Sequence, residues 1–182
     1  MSTQFIVQHC APTLAGLKVG NLFSYKFKSL HELKRAIEKR NGQLGVKGIC
    51  FTVLRIKGNV ALIYVYRKSA LHALLQVPAI QAFLHSFGFV QFDVETCLHV
   101  LSSHLTGQCF PHEIGVFLGY PLHDVIAFIQ NKGKGCKCSG CWKVYGNVSN
   151  AQKTFDRYAK CRCVFMQKVE AGYDIFHLTV VC

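Results

Sequence analysis

The side chains best suited to chemistry begin with a thiol near the N-terminus. Cys10 follows His9 and directly precedes a predicted helix that starts at residues 11–13. A thiol at a helix start lies near unpaired backbone N–H groups, which lower a thiol pKa and also bind anions. Since neighbours on an extended segment face opposite ways, we expect His112 or Glu113, rather than His9, to be the proton carrier. The alternative is that Cys10 is a small buried hydrophobic residue.

A second candidate for chemistry is a group of five cysteines within 28 residues. They are Cys136, Cys138, Cys141, Cys161 and Cys163. Thiolates at such spacing can hold a tetrahedral zinc ion or an iron–sulfur cluster. The spacing is not a standard pair of C-x-x-C motifs, and a helical i, i+2 pair such as Cys161 and Cys163 diverges. The hypothesis is therefore a metal site of Cys136, Cys138, Cys141 and Cys161. Its alternative is a reduced, cysteine-rich loop.

These groups surround the segment 110–147, which predicts helix, tight corner, helix, loop and strand. Pro111 and Pro121 suit the first turns of two short helices, Gly119 suits the corner, and Gly133 suits the end of the second helix. Residues 142–145 alternate in character and predict a strand. The Lys- and Gly-rich loop at 131–135 offers N–H groups and amines to a phosphate. It lacks the spacing of a P-loop, so a solvated connection is the favoured interpretation.

The helix pair also has a nucleic-acid interpretation. Its small and apolar residues fall near the spacing of a helix-turn-helix, and they are Gly115, Gly119, Val125 and Phe128. The outward positions of the second helix lack the Arg and Lys that contact phosphates and bases, and offer mainly His123 and Gln130. A buried helical corner is therefore the favoured interpretation.

Composition indicates one folded domain with basic flanks. The chain has 182 residues, 51% of them hydrophobic, and a net charge of +12. Residues 1–68 carry 12 basic and two acidic side chains, residues 69–131 carry four acidic and no Lys or Arg, and residues 132–182 carry nine basic and three acidic. The basic flanks predict an anionic partner. With no secretory signal and no membrane span, we expect a cytoplasmic protein whose cysteines are thiols rather than disulfides.

The patterning outside the central segment predicts a helix-rich chain with few strands. Strands are expected at 5–7, 49–56, 60–66 and 175–181, with a hairpin turn at 57–59. Helices are expected from residues 11–13 with Pro12 in the first turn, from Ser29, from Ser69 with an interruption at Pro78, from Asp93, and from Ser149-Asn150 to near Gly172. On the helix from Ser29, Lys34, Arg35, Lys39 and Arg40 face outward. The expected architecture is α+β, a single helix-rich domain at 1–182 around a small, mainly antiparallel sheet.

Three strings resemble a family of uncharacterised bacterial proteins, domain of unknown function 3793. They are H-C-A-P-T-L-A-G-L-K at 9–18, F-P-H-E-I-G-V-F-L-G-Y-P-L-H-D-V-I-A-F-I-Q-N-K-G at 110–133, and C-W-K-V-Y-G-N at 141–147. The resemblance covers nearly the whole chain and implies no established activity. The family pattern singles out His9, Cys10, Thr13, Lys18, His112, Glu113, Tyr120, Asp124, Trp142, Lys143 and Tyr145. The thiols at 136, 138 and 141 depart from it.

The resemblance implies one cleft between the two helix starts. Cys10, His112 and Glu113 would be the catalytic groups, and His9, Thr13, Lys18, Tyr120, Lys143 and Tyr145 would bind the ligand. The leading hypothesis is a protein that binds a small anionic ligand, as a thiol-dependent enzyme in its stronger form. The alternatives are a nucleic-acid-binding protein, for which we expect non-specific contacts from the flanks, and a cysteine-ligated metal or redox protein. The sequence does not identify a cofactor or an oligomeric state.

Overall fold

The computed structural model describes residues 1–107 and 110–181, which form nine α-helices and five strands. In chain order they are α1 Thr3–Leu14, β1 Gly20–Lys26, α2 Leu30–Leu44, β2 Ile49–Lys57, β3 Val60–Arg67, α3 Lys68–Leu75, α4 Pro78–His85, α5 Val94–His104, α6 Ile114–Phe117, α7 Leu122–Gln130, β4 Cys138–Ser139, β5 Lys143–Val144, α8 Val148–Glu170 and α9 Ile175–Leu178. A short 3₁₀ turn at Gly45–Lys47 follows α2. The architecture is α+β, as predicted.

The main sheet has three antiparallel strands in the order β1-β3-β2. Its central strand, β3, is apolar on both faces, and its side chains alternate between two hydrophobic cores. Leu62, Tyr64 and Tyr66 pack into the first core. Ala61, Ile63 and Val65 pack into the second.

Different helices cover the two faces of this sheet. Helices α3 to α7 supply the first core, with buried residues such as Leu71, Leu101 and Phe117. Helices α1, α2 and α9 supply most of the second core, and α8 packs against it. The hydroxyl of Tyr64 donates a hydrogen bond of 2.5 Å to the carbonyl of Phe117, which ties the sheet to α6. Helices α6 and α7 therefore stand on one face of the sheet, and α1 stands on the other.

Several sequence-based predictions are confirmed. The β2–β3 hairpin turns at Gly58, which has a φ of +57°. The side chains of Ser29 and Asp93 cap α2 and α5 by accepting hydrogen bonds from the third residue beyond each of them. Helix α4 begins at Pro78, and Gly119 turns the corner between α6 and α7 with a φ of +71°. A helix is present where one was predicted after Ser69, but Ser69 does not cap it, because α3 begins at Lys68 and the cap position is Arg67.

The N-terminal segment differs from its prediction. Residues 5–7 do not form a strand, because they belong to α1. Ser2 caps that helix by accepting a hydrogen bond from the N–H of Phe5, and its buried residues recur at helical spacing. Pro12 therefore lies in the last turn of α1, and Cys10 lies within the helix rather than at its start.

Other predictions are corrected in the same way. Strand β1 was not anticipated, and residues 175–178 form α9 instead of a strand, capped by the side chain of Asp174. Asn147, not Ser149 or Asn150, caps α8. Part of the predicted loop forms β4, which pairs with β5, and β5 is only two residues long.

Arg40 was predicted to face solvent on α2, but it is buried. Its guanidinium donates hydrogen bonds to Oε1 of Gln43, at 2.7 Å, and to the carbonyl of Met1, at 2.8 Å. The side chain therefore ties α2 to the N-terminal residue.

Within residues 1–107 and 110–181, none of the helices has the length and apolar character required to cross a membrane.

Candidate functional site

The carboxylate of Asp124, in the first turn of α7, holds the β4–β5 hairpin in place. Its Oδ2 accepts a hydrogen bond from Nε1 of Trp142, at 2.8 Å. Its Oδ1 accepts from the backbone N–H groups of Tyr145, at 2.8 Å, and Gly146, at 2.9 Å. Burial raises the pKa of Asp124, but these hydrogen bonds and the neighbouring His123 lower it by more, so its pKa lies below the usual value.

A cavity of about 450 Å³ lies between α6, α7 and the β4–β5 hairpin. Most of its wall is apolar and includes Ile114, Leu118, Tyr120, Val125, Phe128 and Trp142. Its polar lining side chains are His112, Asp124, Ser139 and Lys143. The volume falls in the range of small-molecule sites.

Two side chains that can carry positive charge meet at the ring of Phe128 in this cavity. The ring of His112 lies 5.0 Å from the Phe128 ring, edge to face. Nζ of Lys143 lies 5.8 Å from the centre of the same ring and donates a hydrogen bond of 2.7 Å to the carbonyl of Gly133. Both side chains are exposed, so they stand at the opening of the cavity rather than at its floor.

Lys18 lies next to the same aromatic wall but is not among the cavity-lining residues. Its Nζ stands 5.4 Å from the centre of the Tyr120 ring and 6.0 Å from the centre of the Tyr158 ring. Trp142 packs against Tyr120, with ring centres 5.3 Å apart. Burial lowers the pKa of Lys18 to about 8, although the thiols of Cys141 and Cys10 act in the opposite direction.

Cys10 does not occupy the environment expected of an activated thiol. It is fully buried in the second core and lies in the interior of α1. Backbone N–H groups there are hydrogen-bonded within the helix, unlike the unpaired N–H groups of a helix start. Burial raises the pKa of its thiol, and Lys18 offsets this only in part. The prediction of a helix-start thiol is therefore wrong, and the alternative interpretation of a small buried residue describes its position.

His112 and Glu113 are adjacent in sequence but have different partners. Oε1 of Glu113, which is buried, lies 2.7 Å from Nδ1 of His104 at the end of α5. His112 lies in the cavity opening against Phe128. Since α6 packs in the first core and Cys10 in the second, the structure does not place these groups and Cys10 in one cleft.

The remaining residues named by the family pattern lie in three places. His9 is exposed on α1, where its ring stacks on Phe23, and burial together with Arg162 lowers its pKa. Thr13 is buried and donates a hydrogen bond of 2.7 Å to Oδ1 of Asn21, which ties α1 to β1. Lys18, Tyr120, Trp142 and Lys143 meet around the hairpin.

Tyr145 contributes its backbone to the Asp124 network, and it does not line the cavity. Its hydroxyl oxygen is buried and, among the residues that the structure describes, has no hydrogen-bond partner. Desolvation, with smaller contributions from Cys136 and Asp124, raises the pKa of this phenol. Tyr145 therefore contributes its backbone N–H to the Asp124 network, and its side chain is not part of the cavity lining.

The four thiols of the metal hypothesis lie on different parts of the fold. Cys138 is in β4, Cys136 precedes it, and Cys141 lies in the hairpin turn. Cys161 lies on α8 against the second core. Within the described ranges, no three His, Cys, Asp or Glu side chains form a group that could hold a metal ion. The described geometry therefore lends no support to a metal site, which stays a prediction of the sequence.

Two residues important for this region were not found as site residues from the sequence. Tyr158 lies within the helix predicted from Ser149-Asn150 to near Gly172, and nothing in the sequence indicates that its ring meets Lys18. Arg67 follows the apolar run of β3, and a basic residue there is normally solvated. It is instead fully buried, where it donates hydrogen bonds to the carbonyls of Thr13, Leu14 and Val180.

Comparison with known families matches nearly the whole chain. Residues 6–179 match the family described as Protein of unknown function (DUF3793). No curated protein and no solved structure matches the chain. The match includes the cavity, its hairpin and the Lys18 environment, so these features lie within the segment shared with the family. The chain belongs to the DUF3793 family.

Proposed function

We propose that this protein is a cytoplasmic protein that binds a small anion with an apolar, planar body in the cavity between α6, α7 and the β4–β5 hairpin. The apolar body packs between Phe128 and the aromatic wall, and the anionic group faces Lys143 and His112. The observation that carries the proposal is the meeting of these two side chains at one ring of an otherwise apolar cavity.

The cavity combines the two properties that such a ligand requires. Its apolar lining removes the ligand body from water, which contributes most of the binding free energy in small-molecule sites. Its few polar groups fix orientation. Asp124 is the one acidic side chain in the described lining, and its oxygens already accept three hydrogen bonds, so its charge is satisfied within the hairpin.

Lys143 is positioned in advance for an anion. Its ammonium donates one hydrogen bond to the carbonyl of Gly133, which leaves two N–H groups. A side chain that is already held loses less conformational entropy when a ligand binds. The amine therefore provides a directed anion contact at the cavity opening.

Catalysis by a Cys10 thiol is not part of this proposal. That thiol is buried in α1, and Glu113, one of the two proposed proton carriers, is already paired with His104. What remains of the leading hypothesis is the binding of a small anion, with His112, Tyr120 and Lys143 as ligand contacts.

Isothermal titration with benzoate and its neutral isostere benzamide tests the proposal. We expect benzoate to bind about tenfold more tightly than benzamide, the preference expected from one charged hydrogen-bonded contact. Lys143→Met removes that preference, and Lys143→Arg restores part of it. Lys134→Met, which alters an exposed lysine of the neighbouring loop, leaves it unchanged.

A second variant locates the binding site. Ser139 is exposed and lines the cavity, so Ser139→Phe fills the opening without disturbing the core. We expect it to abolish binding of both probes while the far-UV circular dichroism stays that of the parent. Equal affinity for benzoate and benzamide, or binding that survives Ser139→Phe, contradicts the proposal.

A further inference from the structure

The stretch of chain that closes the cavity opening carries no acidic side chain. Residues 125–155, which run from α7 through the β4–β5 hairpin into α8, contain five lysines and no Asp or Glu. The two acids of residues 110–124 already have partners, since Glu113 contacts His104 and Asp124 holds the hairpin. The positive charge of this stretch is therefore not neutralised by acids of its own segment.

The loop between α7 and the hairpin brings two further lysines next to Lys143. The carbonyl of the buried Gly133 accepts the hydrogen bond from Lys143, and a Cβ atom added to this glycine would lie 3.1 Å from the Phe128 ring. Lys132 and Lys134 adjoin this glycine on either side along the chain, and both are exposed. Among the residues that the structure describes, neither amine has an ion pair or a hydrogen bond. Two unpaired amines therefore extend from positions adjacent to the carbonyl that holds Lys143.

This loop offers side-chain amines to an anion rather than a backbone cradle. The N–H groups of residues 132–134 all donate hydrogen bonds to carbonyls of residues 128–131, at 2.8 to 3.1 Å. Most of the N–H groups that the sequence offered to a phosphate are thus used within the loop. The same hydrogen bonds fix the backbone from which the two amines extend.

The number of cationic side chains at the opening favours a phosphate over a carboxylate. Lys143 and His112 both approach the ring of Phe128, and the two loop lysines lie beside them along the chain. A carboxylate has one charge and two oxygens in a plane. A phosphate ester has a charge close to −2 at neutral pH and three acceptor oxygens that point in different directions. Only the phosphate has enough charge and enough oxygens for donors from both the hairpin and the loop.

We propose that the ligand of the cavity is an aromatic phosphate ester, an inference that rests on the binding proposed above. The aromatic group packs against Phe128, and the phosphate lies at the opening, in contact with Lys143 and His112. Lys132 and Lys134 contact its outer oxygens and balance its second charge. The loop lysines therefore select a dianion over a monoanion, while Lys143 selects an anion over a neutral ligand.

Isothermal titration with four probes tests this inference, at about pH 7.5 so that the phosphate ester is a dianion. The probes are benzamide, benzoate, phenyl phosphate and inorganic phosphate, and low salt of about 50 mM limits screening. We expect phenyl phosphate to bind about tenfold more tightly than benzoate, because it adds a charge and an oxygen for the loop amines. Inorganic phosphate lacks the apolar body, so we expect it to bind at least about tenfold more weakly than phenyl phosphate.

Variants of the loop separate its role from that of Lys143. The double variant Lys132→Met with Lys134→Met is expected to remove the preference for phenyl phosphate over benzoate. It leaves the preference for benzoate over benzamide unchanged, because that preference depends on Lys143. The double variant with Arg at both loop positions retains the phosphate preference. Lys153→Met is the matched control, since Lys153 is an exposed lysine of the same acid-free stretch but lies on α8, and it leaves both preferences unchanged.

The outcomes distinguish this inference from the proposed function. Benzoate that binds more tightly than benzamide but as tightly as phenyl phosphate overturns the phosphate inference and leaves the proposed function standing. Inorganic phosphate that binds as tightly as phenyl phosphate also overturns it, as does an equal loss of phenyl phosphate binding in Lys153→Met and in the loop variant, because both results indicate general attraction by charge. Equal affinity for benzoate and benzamide is a separate result, which contradicts the proposed function and this inference with it.

Discussion

Nε1 of Trp142 lies 2.8 Å from Oδ2 of Asp124, and this hydrogen bond joins the β4–β5 hairpin to the first turn of α7. The other carboxylate oxygen accepts from two backbone N–H groups of the same hairpin. One buried side chain therefore positions a wall of the cavity, the Lys143 amine that follows Trp142, and the aromatic surface beside Lys18.

Replacing Asp124 with Asn is expected to lower the free energy of unfolding by roughly 2–4 kcal/mol, because an amide cannot accept all three hydrogen bonds and leaves buried N–H groups unpaired. Urea unfolding measures this loss. Trp142 is the only tryptophan in the sequence, so its fluorescence emission reports whether the hairpin has separated from α7.

Asp156→Asn is the matched control, because Asp156 is an exposed carboxylate on α8. We expect the free energy of unfolding of this variant to lie within about 0.5 kcal/mol of that of the parent. A stability for Asp124→Asn equal to that of this control, with unchanged emission, would show that the network does not hold the hairpin.

The burial of Cys10 predicts a thiol that does not react in the folded protein. Labelling with a chromogenic disulfide near neutral pH is expected to modify Cys163, which is exposed, at least about a hundredfold faster than Cys10, because Cys10 reacts only when α1 opens. Peptide mapping at early times measures the ratio. Comparable labelling of the two thiols would restore the hypothesis of an accessible, activated Cys10.

Lys18 predicts a stability that rises with pH. Its pKa is about 8 in the folded protein and 10.5 in an ordinary environment, so the unfolded chain binds a proton that the folded chain has lost between these values. Below about pH 8 both states are protonated and the full cost of burying the charge is present. Above about pH 10.5 both are neutral and that cost is gone.

The measurement is a comparison with Lys18→Met. The stability of the parent relative to this variant is expected to increase by roughly 1–3 kcal/mol between pH 7 and pH 10.5. The same comparison for Lys34→Met, at an exposed position, is expected to be flat. A difference between the parent and Lys18→Met that does not change with pH would mean that Lys18 keeps an ordinary pKa.

The basic flanks predict weak binding of nucleic acid that is sensitive to salt and indifferent to sequence. The contacts are expected from exposed side chains of α2 and of the loop after α7, which are Lys34, Arg35, Lys39, Lys132, Lys134 and Lys137. Arg40 is removed from the predicted set because it is buried. Fluorescence anisotropy with one duplex and one single strand, at about 50 and 150 mM salt, measures the dependence.

We expect affinity to fall steeply between the two salt concentrations for both probes and to decline evenly as basic residues are removed. The exposed positions of α7 should not contribute. Tight, sequence-dependent binding that is lost on changing His123 or Gln130 would contradict this and favour a helix-turn-helix function.

The parts of the fold that were predictable are those specified by local chemistry. The β2–β3 hairpin combines two alternating apolar runs with a Gly at the one turn position that requires a positive φ. The starts of α2 and α5 are specified by Ser29 and Asp93, whose side chains cap them. In each case residues within a few positions of one another determine the structure.

The errors arose where local chemistry favoured more than one structure. Phe5-Ile6-Val7 is a run of strand-forming residues, but tertiary packing of α1 in the second core makes it helical. Because that helix starts earlier than predicted, Cys10 moved from a helix start to a helix interior. A shift of one boundary thus removed the physical basis of the thiol hypothesis.

For the candidate site, the sequence identified several of the residues but not how they are arranged. Lys18, Tyr120 and Lys143 were named through the family resemblance, but their arrangement depends on contacts between residues more than a hundred positions apart along the chain. No periodicity in the sequence encodes that Lys18 meets Tyr158 or that Arg67 is buried against α1. Such contacts are set by how α1, α8 and the hairpin pack.

Strand β3 has a consequence for how the sheet avoids misalignment. In a sheet with one polar face, a slip of one residue moves the apolar side chains to solvent, and the loss of buried apolar surface alone disfavours the slipped register. Here both faces of β3 are buried, so the same slip exchanges Leu62, Tyr64 and Tyr66 with Ala61, Ile63 and Val65. The shapes of the side chains, rather than a contrast between polar and apolar faces, therefore determine the register of β3. Two tyrosine rings do not fit the space of Ile63 and Val65, and the slipped strand also loses the hydrogen bond from Tyr64 to Phe117.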